Sequence, residues 1–402
     1  MARILYITYD GLMEPLGMSQ VWQYLKVLNN TNDITIVSFE KSIDVINKEK
    51  LTKLRNEIES YGVSWYCIKY HKFPSVIATL YDIAISILYC SYIISKKEID
   101  IVHARSYVPA LTGLMIKKIF GKKFIFDMRG FWADEKVDGG TWKKSSLIYK
   151  ITKKLECSFF IHSDFIVSLT NVGSRDVLST KCLQNTKKHI EVIPTCVNLK
   201  LFHINNSVFN RYKKIENVFT LGYVGSVGTF YLFDEVLKSF KALLSLNKKS
   251  KLLIINKGQH DFISESIFNA GINKDCVEIK SVEYGEVANE INKMDAGIFY
   301  IKPVFSKRSS SPTKFGEFLG CGKPCVSNSD IGDTERILEV ENVGIVLIGF
   351  ADEDHAEGMK KLIHMAKDTS TSKRCIGTAH KYFSLDAGVS KYNKIYEYLT
   401  NN

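Results

Sequence analysis

The stretch Ser309-Ser310-Ser311-Pro312-Thr313-Lys314-Phe315-Gly316-Glu317-Phe318-Leu319-Gly320-Cys321-Gly322-Lys323-Pro324-Cys325-Val326 changes pattern sharply along its length. Hydroxyl residues and Pro312 mark a helix start, and the helical run continues to Leu319. Pro324–Ser327 then reads as a short apolar strand. A helix handing directly to a strand is the unit of an α/β fold.

The same alternation extends outward. Ala296–Tyr300 and Gly344–Ile348 are strands on either side. Upstream lie the strand Phe219–Val224, the helix Leu232–Leu246, and the strands Lys251–Ile255 and Val277–Ile279. The first half carries its own series: strands at Arg3–Tyr9, Ile34–Phe39, Val63–Tyr70, Ile99–His103, Lys123–Phe126, Phe165–Leu169 and His189–Ile193. Helices are expected at Ser19–Leu28 and Ala110–Phe120. Short apolar strands alternating with helices indicate parallel sheets, and the restart indicates two similar domains. A polar, basic link is expected near Ile193–Asn217.

Composition sets the bounds. The chain has 402 residues, 45% hydrophobic and 24% charged, enough for two domains with cores of their own. The formal net charge of +11 suits anionic partners, or simply a lysine-rich solvated surface, since the lysines are dispersed. No helix-turn-helix, RNA-binding or zinc-finger signature accompanies that charge, so a nucleic-acid partner is not expected. Nine scattered cysteines point to reduced thiols and a cytoplasmic setting. Cys321 and Cys325 lack zinc-site companions, so no metal site is expected. The N-terminus reads as a strand rather than a secretion signal.

Ser75–Ser95 is long and apolar enough to raise the question of a membrane span. Ser75, Thr79, Asp82 and Ser86 form a polar stripe along it. That spacing favours an amphipathic helix packed on a sheet, with peripheral membrane contact as the other reading.

Ligands of open α/β sheets bind at strand carboxyl ends, so the loops there carry the candidate chemistry. Asp10–Gly17 follows the first strand, with Gly17 at its end, and Gly225-Ser226-Val227-Gly228-Thr229 follows Phe219–Val224. Each is either a phosphate cradle leading into a helix or a plain turn. The Asp10–Gly17 loop is not the G-x-G-x-x-G pattern, which argues against dinucleotide binding of that kind. At Ser311-Pro312-Thr313 the helix start and Lys314 make an anion site, and Glu317 lies one turn on, where it can accept two ribose hydroxyls. A capped surface helix with a local Lys–Glu pair has the same residues. In the first half, Asp127 and Arg129 sit at a strand end, suited to sugar hydroxyls and phosphate or to bracing the loop. His103 and Arg105 form a similar cluster, and Asp134 and Glu135 lie just beyond. Asp352-Glu353-Asp354 precedes the helix Ala356–Met365 and reads as its N-terminal cap, not as a metal-binding Asp-x-Asp.

The segment Ser311–Val326 resembles the donor-site signature of retaining GT-B glycosyltransferases of family 4. Val192-Ile193-Pro194-Thr195-Cys196-Val197-Asn198, Leu221–Ser226, Asp295–Ile298 and Phe383–Leu399 are similar to further segments of that family, in order along the chain. The resemblance implies two Rossmann-like domains whose parallel sheets face across a cleft. It implies an acceptor domain at 1–205, a donor domain at 206–383, and a helix at 384–402 crossing back. Glu317 matches the second glutamate of a Glu–seven residues–Glu motif and would bind the ribose. Lys314 and the backbone from Ser311 to Thr313 would hold the diphosphate. The first glutamate falls on Ser309, and Ser226 replaces the usual arginine, which leaves Arg308 or Lys302 to supply charge. Asp127, with Arg129, matches the position that faces the transferred sugar, and His103, Arg105, Asp134 and Glu135 fall on the acceptor side.

The implied activity is metal-independent transfer, with retention, from a nucleotide-sugar of the UDP type to a glycan or lipid-linked acceptor in surface-polysaccharide synthesis. No cofactor is implied beyond that donor. The inner face of the plasma membrane is the implied place of action. The departures at Ser309 and Ser226 leave a rival expectation, a non-catalytic nucleotide-sugar-binding subunit of the same fold.

Overall fold

Two parallel sheets organise the chain. The computed structural model describes residues 1–205 and 218–401. In chain order the first series is β1 (Arg3–Thr8), α1 (Gln23–Leu28), β2 (Asp33–Glu40), β3 (Ser64–Lys69), α2 (Ser75–Lys96), β4 (Ile101–Arg105), α3 (Tyr107–Phe120), β5 (Lys123–Asp127), α4 (Trp132–Asp138), α5 (Leu147–His162), β6 (Phe165–Ser168) and β7 (Ile190–Val192). The second series is β8 (Thr220–Val224), α6 (Phe233–Leu246), β9 (Lys251–Ile255), β10 (Val277–Lys280), β11 (Ala296–Ile298), α7 (Thr313–Gly320), β12 (Cys325–Asn328), β13 (Gly344–Leu347), α8 (Asp352–Lys367) and α9 (Leu385–Asn401). Further helices lie between these.

One compact unit comprises Met1–Pro194 and Leu385–Asn402, the other Thr195–Ser384. The sequence placed the first boundary at 205/206, and residues 206–217 of the expected link lie outside the described residues. Thr195–Asn205 groups with the second unit for a packing reason. Val197 and Phe202 are buried in one apolar cluster with Phe315, Phe318 and Phe383. The Val197 N–H also donates to the Phe383 carbonyl at 2.7 Å.

In the first unit the strand order is β3-β2-β1-β4-β5-β6-β7, every pair parallel. Runs such as Ile4-Leu5-Tyr6-Ile7 are buried on both faces, as a helix-covered parallel sheet requires. α9 packs into this unit through Val389, Tyr392, Ile395, Tyr396 and Leu399, spaced to form one helical face. In the second unit the order is β10-β9-β8-β11-β12-β13, again parallel throughout. The order reverses between β1 and β4 and between β8 and β11. At those points neighbouring loops diverge and leave a crevice.

Two local expectations are corrected. Cys157 and Cys182 are joined as a disulfide, which leaves seven free cysteines rather than nine. The helix Ser75–Lys96 does pack on the sheet, but the second half of its polar stripe faces inward: Ser75 is exposed and Thr79 half-buried, whereas Asp82 and Ser86 are buried. Asp354 behaves as a cap, its carboxylate accepting from the Ala351 N–H at 3.0 Å.

Candidate functional site

In the second unit, the loop after β8 and the start of α7 converge on one buried ammonium group. Pro312, at φ −65°, precedes the helix, and Lys314 lies in its first turn, where N–H groups have no partner a turn earlier. The Lys314 Nζ is buried and makes no hydrogen bond. It rests 4.2 Å from the ring centre of Tyr231 and 4.9 Å from that of Tyr223. Ring faces stabilise a cation, but they do not replace hydrogen-bond acceptors. Burial pushes the Lys314 amine down to about 7, against the pull of Glu317. Burial pushes the Glu317 carboxyl up to about 7, against the pull of Lys314. Both groups are therefore poised to change charge when an anion arrives.

Side chains hold the β8 loop by its backbone groups. The Tyr223 hydroxyl donates to the Ser226 carbonyl at 2.6 Å, and the Gln259 amide bridges the N–H and carbonyl of Val227 at 3.0 and 2.9 Å. Asn256 donates to the Gly225 carbonyl at 2.9 Å. Gly225 has φ +109°, and a Cβ there would stand 2.9 Å from the Lys314 Nζ. Gly225→Ala is therefore expected to destabilise the protein by about 1 kcal/mol or more through backbone strain. It should also weaken anion binding by displacing Lys314. Urea unfolding and ligand titration would check the two effects separately.

The structure thus gathers Lys314, Gly225 and Ser226 around one point, with Thr313 at the helix start and Glu317 one turn on. Ser226 is exposed and Thr313 half-buried. The other candidates are placed differently. The Ser309 hydroxyl is buried and donates to the Ser306 carbonyl at 3.1 Å, and the Ser311 hydroxyl accepts from the Thr195 N–H at 3.2 Å. These two shape the turn before α7. Arg308 and Lys302 are exposed. Tyr223 and Tyr231 went unrecognised in the sequence, because a tyrosine in or beside an apolar strand looks like core.

In the first unit, a polar cluster lies at the carboxyl ends of β4 and β5. His103, Arg105 and Asp127 are all buried. Asp127 Oδ2 accepts from the Tyr392 hydroxyl at 3.0 Å and stands 3.6 Å from His103 Nε2 and 3.9 Å from Arg105 Nη1. Arg129 Nη1 lies 3.8 Å from Asp127 Oδ1. His103 Nδ1 is 2.8 Å from the Tyr396 hydroxyl, and Arg105 Nε donates to Asp10 at 3.2 Å. Burial alone would raise the Asp127 carboxyl, but Arg129, His103 and Arg105 hold it down to about 2. Burial lowers His103 despite Asp127 beside it. At neutral pH the carboxylate is charged and the imidazole neutral. Among the described residues, Asp127 Oδ1, His103 Nε2 and Gln20 Nε2 have no hydrogen-bond partner. Ser106 (φ 70°) and Arg129 (φ 57°) hold left-handed backbone where β4 and β5 end. Such strain concentrates at functional sites.

Other first-unit candidates do different work. The Asp134 carboxylate is bound by the Tyr149 hydroxyl and Lys153 Nζ, both at 2.8 Å, and Glu135 is half-buried in the first turn of α4. In the Asp10–Gly17 loop the N–H groups of Leu12 and Met13 donate to the Glu40 carboxylate at 2.8 and 3.2 Å. The loop's N–H groups are taken up by the Glu40 carboxyl, which burial raises above its ordinary value against these hydrogen bonds. A Cβ on Gly17 would stand 1.9 Å from the Gly11 carbonyl oxygen, so this glycine answers to packing within the loop. Gln20, Tyr392 and Tyr396 are members of the cluster that sequence reading passed over.

No protein-family model and no curated protein sequence matches the chain. Solved structures do. A sucrose-phosphate synthase from Thermosynechococcus elongatus superposes with TM-score 0.73 at 11% identity, covering 100% of both chains. A glycosyltransferase from Rickettsia africae ESF-5 gives 0.72 at 16% identity, covering 100% of this chain and 99% of that one. Alr3699/HepE from Anabaena, solved in complex with UDP and glucose, gives 0.68 at 11% identity, covering 98% and 99%. The fold is GT-B. At these identities the likeness concerns architecture, and function is argued from the site's own residues.

Proposed function

We propose that this protein is a glycosyltransferase that takes a sugar from a nucleotide-sugar of the UDP type. The observation that carries the reading is Lys314. It is a buried lysine without a hydrogen bond, at a helix start, beneath a glycine loop, one turn before a buried glutamate. A diphosphate supplies the acceptors that Lys314 lacks, and Glu317 accepts the ribose hydroxyls. The Asp127–His103–Arg105–Arg129 cluster engages the sugar or the acceptor, a glycan or lipid-linked saccharide in surface-polysaccharide synthesis. Departure of the diphosphate leaves negative charge on its oxygen. Lys314 and the α7 N–H groups stabilise that charge, and the same oxygen takes the acceptor's proton, with retention at the anomeric carbon. In this scheme lysine and helix dipole meet the phosphate charge, so a chelator leaves turnover intact. The work is done on the cytoplasmic side.

The test is a screen of UDP-, GDP-, ADP- and dTDP-sugars, with melting temperature and released sugar read together. A ligand of the native state raises the melting temperature. Stabilisation by one nucleotide class with sugar release supports the transferase. Stabilisation without turnover when acceptors are supplied favours a binding subunit, the reading suggested by Ser309 in place of the first glutamate. Absence of any stabilisation refutes the donor site.

A pH profile follows from the same geometry. A nucleotide-sugar keeps its diphosphate charge near neutrality, whereas Lys314 must be protonated to meet it. With the free amine near 7, binding takes up a proton above that pH. Affinity is expected to fall by up to about tenfold per unit as pH rises beyond 7. Below 7 the Glu317 carboxyl protonates and loses its role as double acceptor, so affinity falls on that side too. Lys314→Arg should flatten the alkaline limb, and Glu317→Gln the acidic one. Calorimetric titration across the range checks both.

A further inference from the structure

The helix α2 is apolar on its outward face as well as its inward one. Its inward stripe holds Asp82 and Ser86 beside Ala78, Cys90 and Ile93. Asp82 is fully buried and accepts from the Tyr9 hydroxyl at 2.8 Å and the His71 N–H at 3.1 Å, and its other oxygen meets His71 Nδ1 at 2.6 Å. Its outward stripe is Ile77, Leu80, Tyr81, Leu88 and Tyr92, each more than half exposed, and Phe73 ahead of the helix is 88% exposed. Between Phe73 and Ser95 the only charged side chain is the buried Asp82. A helix on a water-soluble surface has the opposite arrangement. An apolar stripe this continuous marks a surface that is covered in use.

We infer that the outward face of α2 docks this protein onto an anionic lipid bilayer, lying in the headgroup plane. Three observations select lipid over a protein partner. Lys69 and Lys72 precede the stripe and Lys96 ends it, all three exposed, so the apolar face is flanked by cations at both ends. Tyrosines stand on the face itself, and these rings with a polar tip suit the interface between hydrocarbon and water. A second apolar element leaves the same corner of the sheet: β2 and β3 end side by side, Glu40 opposite Lys69. The short helix Ser42–Ile46, just after β2, exposes Ile43 and Ile46. The helix is long and apolar enough to cross a membrane. But β3 and β4 bracket it in the sheet, and Asp82 ties its inner face to the protein, so it lies on the bilayer instead.

The test is flotation of the full-length protein with vesicles of phosphatidylcholine alone or mixed with phosphatidylglycerol, without nucleotide. That condition makes the result independent of the donor reading. Co-flotation with the anionic vesicles is expected. I77D/L88D should lower binding at least tenfold, since each change withdraws a buried-on-docking apolar side chain. Lys72→Ala and Lys96→Ala should each lower it about fivefold. F268D/I348D, which removes two exposed apolar side chains of the other unit, should bind as wild type, and all variants should keep their melting temperature. Failure of the wild-type protein to float overturns the inference. So does undiminished flotation of I77D/L88D, or light scattering that shows a lipid-free dimer split by I77D/L88D. The last result would assign the face to a second copy of the chain.

Discussion

Lys314→Met is expected to abolish donor turnover while leaving the protein as stable as before, or more so. The two effects have one cause. The ammonium of Lys314 is buried without a hydrogen bond, so the folded protein carries a desolvation penalty that Glu317 offsets only in part. Methionine has a similar length and no charge, and it keeps the contacts with the Tyr223 and Tyr231 rings. Glu317, the carboxyl that pulls on it, already sits near 7 and becomes a neutral acid once the lysine is gone, so no buried charge is left unpaired. Charge developing on the leaving phosphate, by contrast, loses its main partner. Loss of one such donor lowers turnover roughly 10²–10³-fold. Melting temperature and single-turnover donor cleavage, measured on one preparation, decide the matter. A large loss of stability would make Lys314 a structural residue, and near-normal turnover would remove it from the site.

Asp127→Asn should behave in the opposite way, losing stability and turnover together. The carboxylate stands among Arg105, Arg129 and His103, and Tyr392 donates to it. Asparagine keeps the shape but leaves the guanidinium charges of Arg105 and Arg129 without their buried counter-charge. Breaking a buried pair in this way costs about 3–5 kcal/mol. The pH dependence gives an independent check. The folded-state pKa, about 2, lies below the unfolded value of about 3.9. The carboxylate's contribution is therefore fully present above about 3.9 and is lost as pH falls toward 2. In the wild type this is worth about 2–3 kcal/mol across that window, and Asp127→Asn should show none of it. Urea unfolding at several acidic pH values reads the difference. Turnover is expected to fall roughly 10²-fold, because the group that sets the charge of the cluster is gone.

Much of this architecture was readable from residue order. The strands were recognisable because parallel sheets bury both faces, so each strand is a short continuous apolar run. Helix starts were legible where chemistry dictates them, as at Pro312-Thr313 and at Asp352-Glu353-Asp354. Lys314 and Glu317 could be paired from spacing alone, since three residues make nearly one helical turn. The polarity of α2 could not be read. A stripe of Ser, Thr and Asp at helical spacing says that two faces exist, but it does not say which one meets the sheet. Tyr9, 73 residues away, and His71, ahead of the helix, settle that by hydrogen-bonding Asp82.

The sequence by itself determined the α/β class, the two-sheet plan and the glycine, lysine and glutamate positions of the candidate site. These are local properties, set by periodicity and by which residue types tolerate a turn or a helix start. Only the tertiary structure decided that Lys314 is stripped of water beneath Gly225, and that Glu40 fills the first loop's cradle. It also decided that α9 brings Tyr392 and Tyr396 onto Asp127 and His103, 265 and 293 residues away. Burial and long-range partners depend on how distant segments pack, and a carboxylate or an amine acquires its charge state from that packing rather than from its neighbours in the chain.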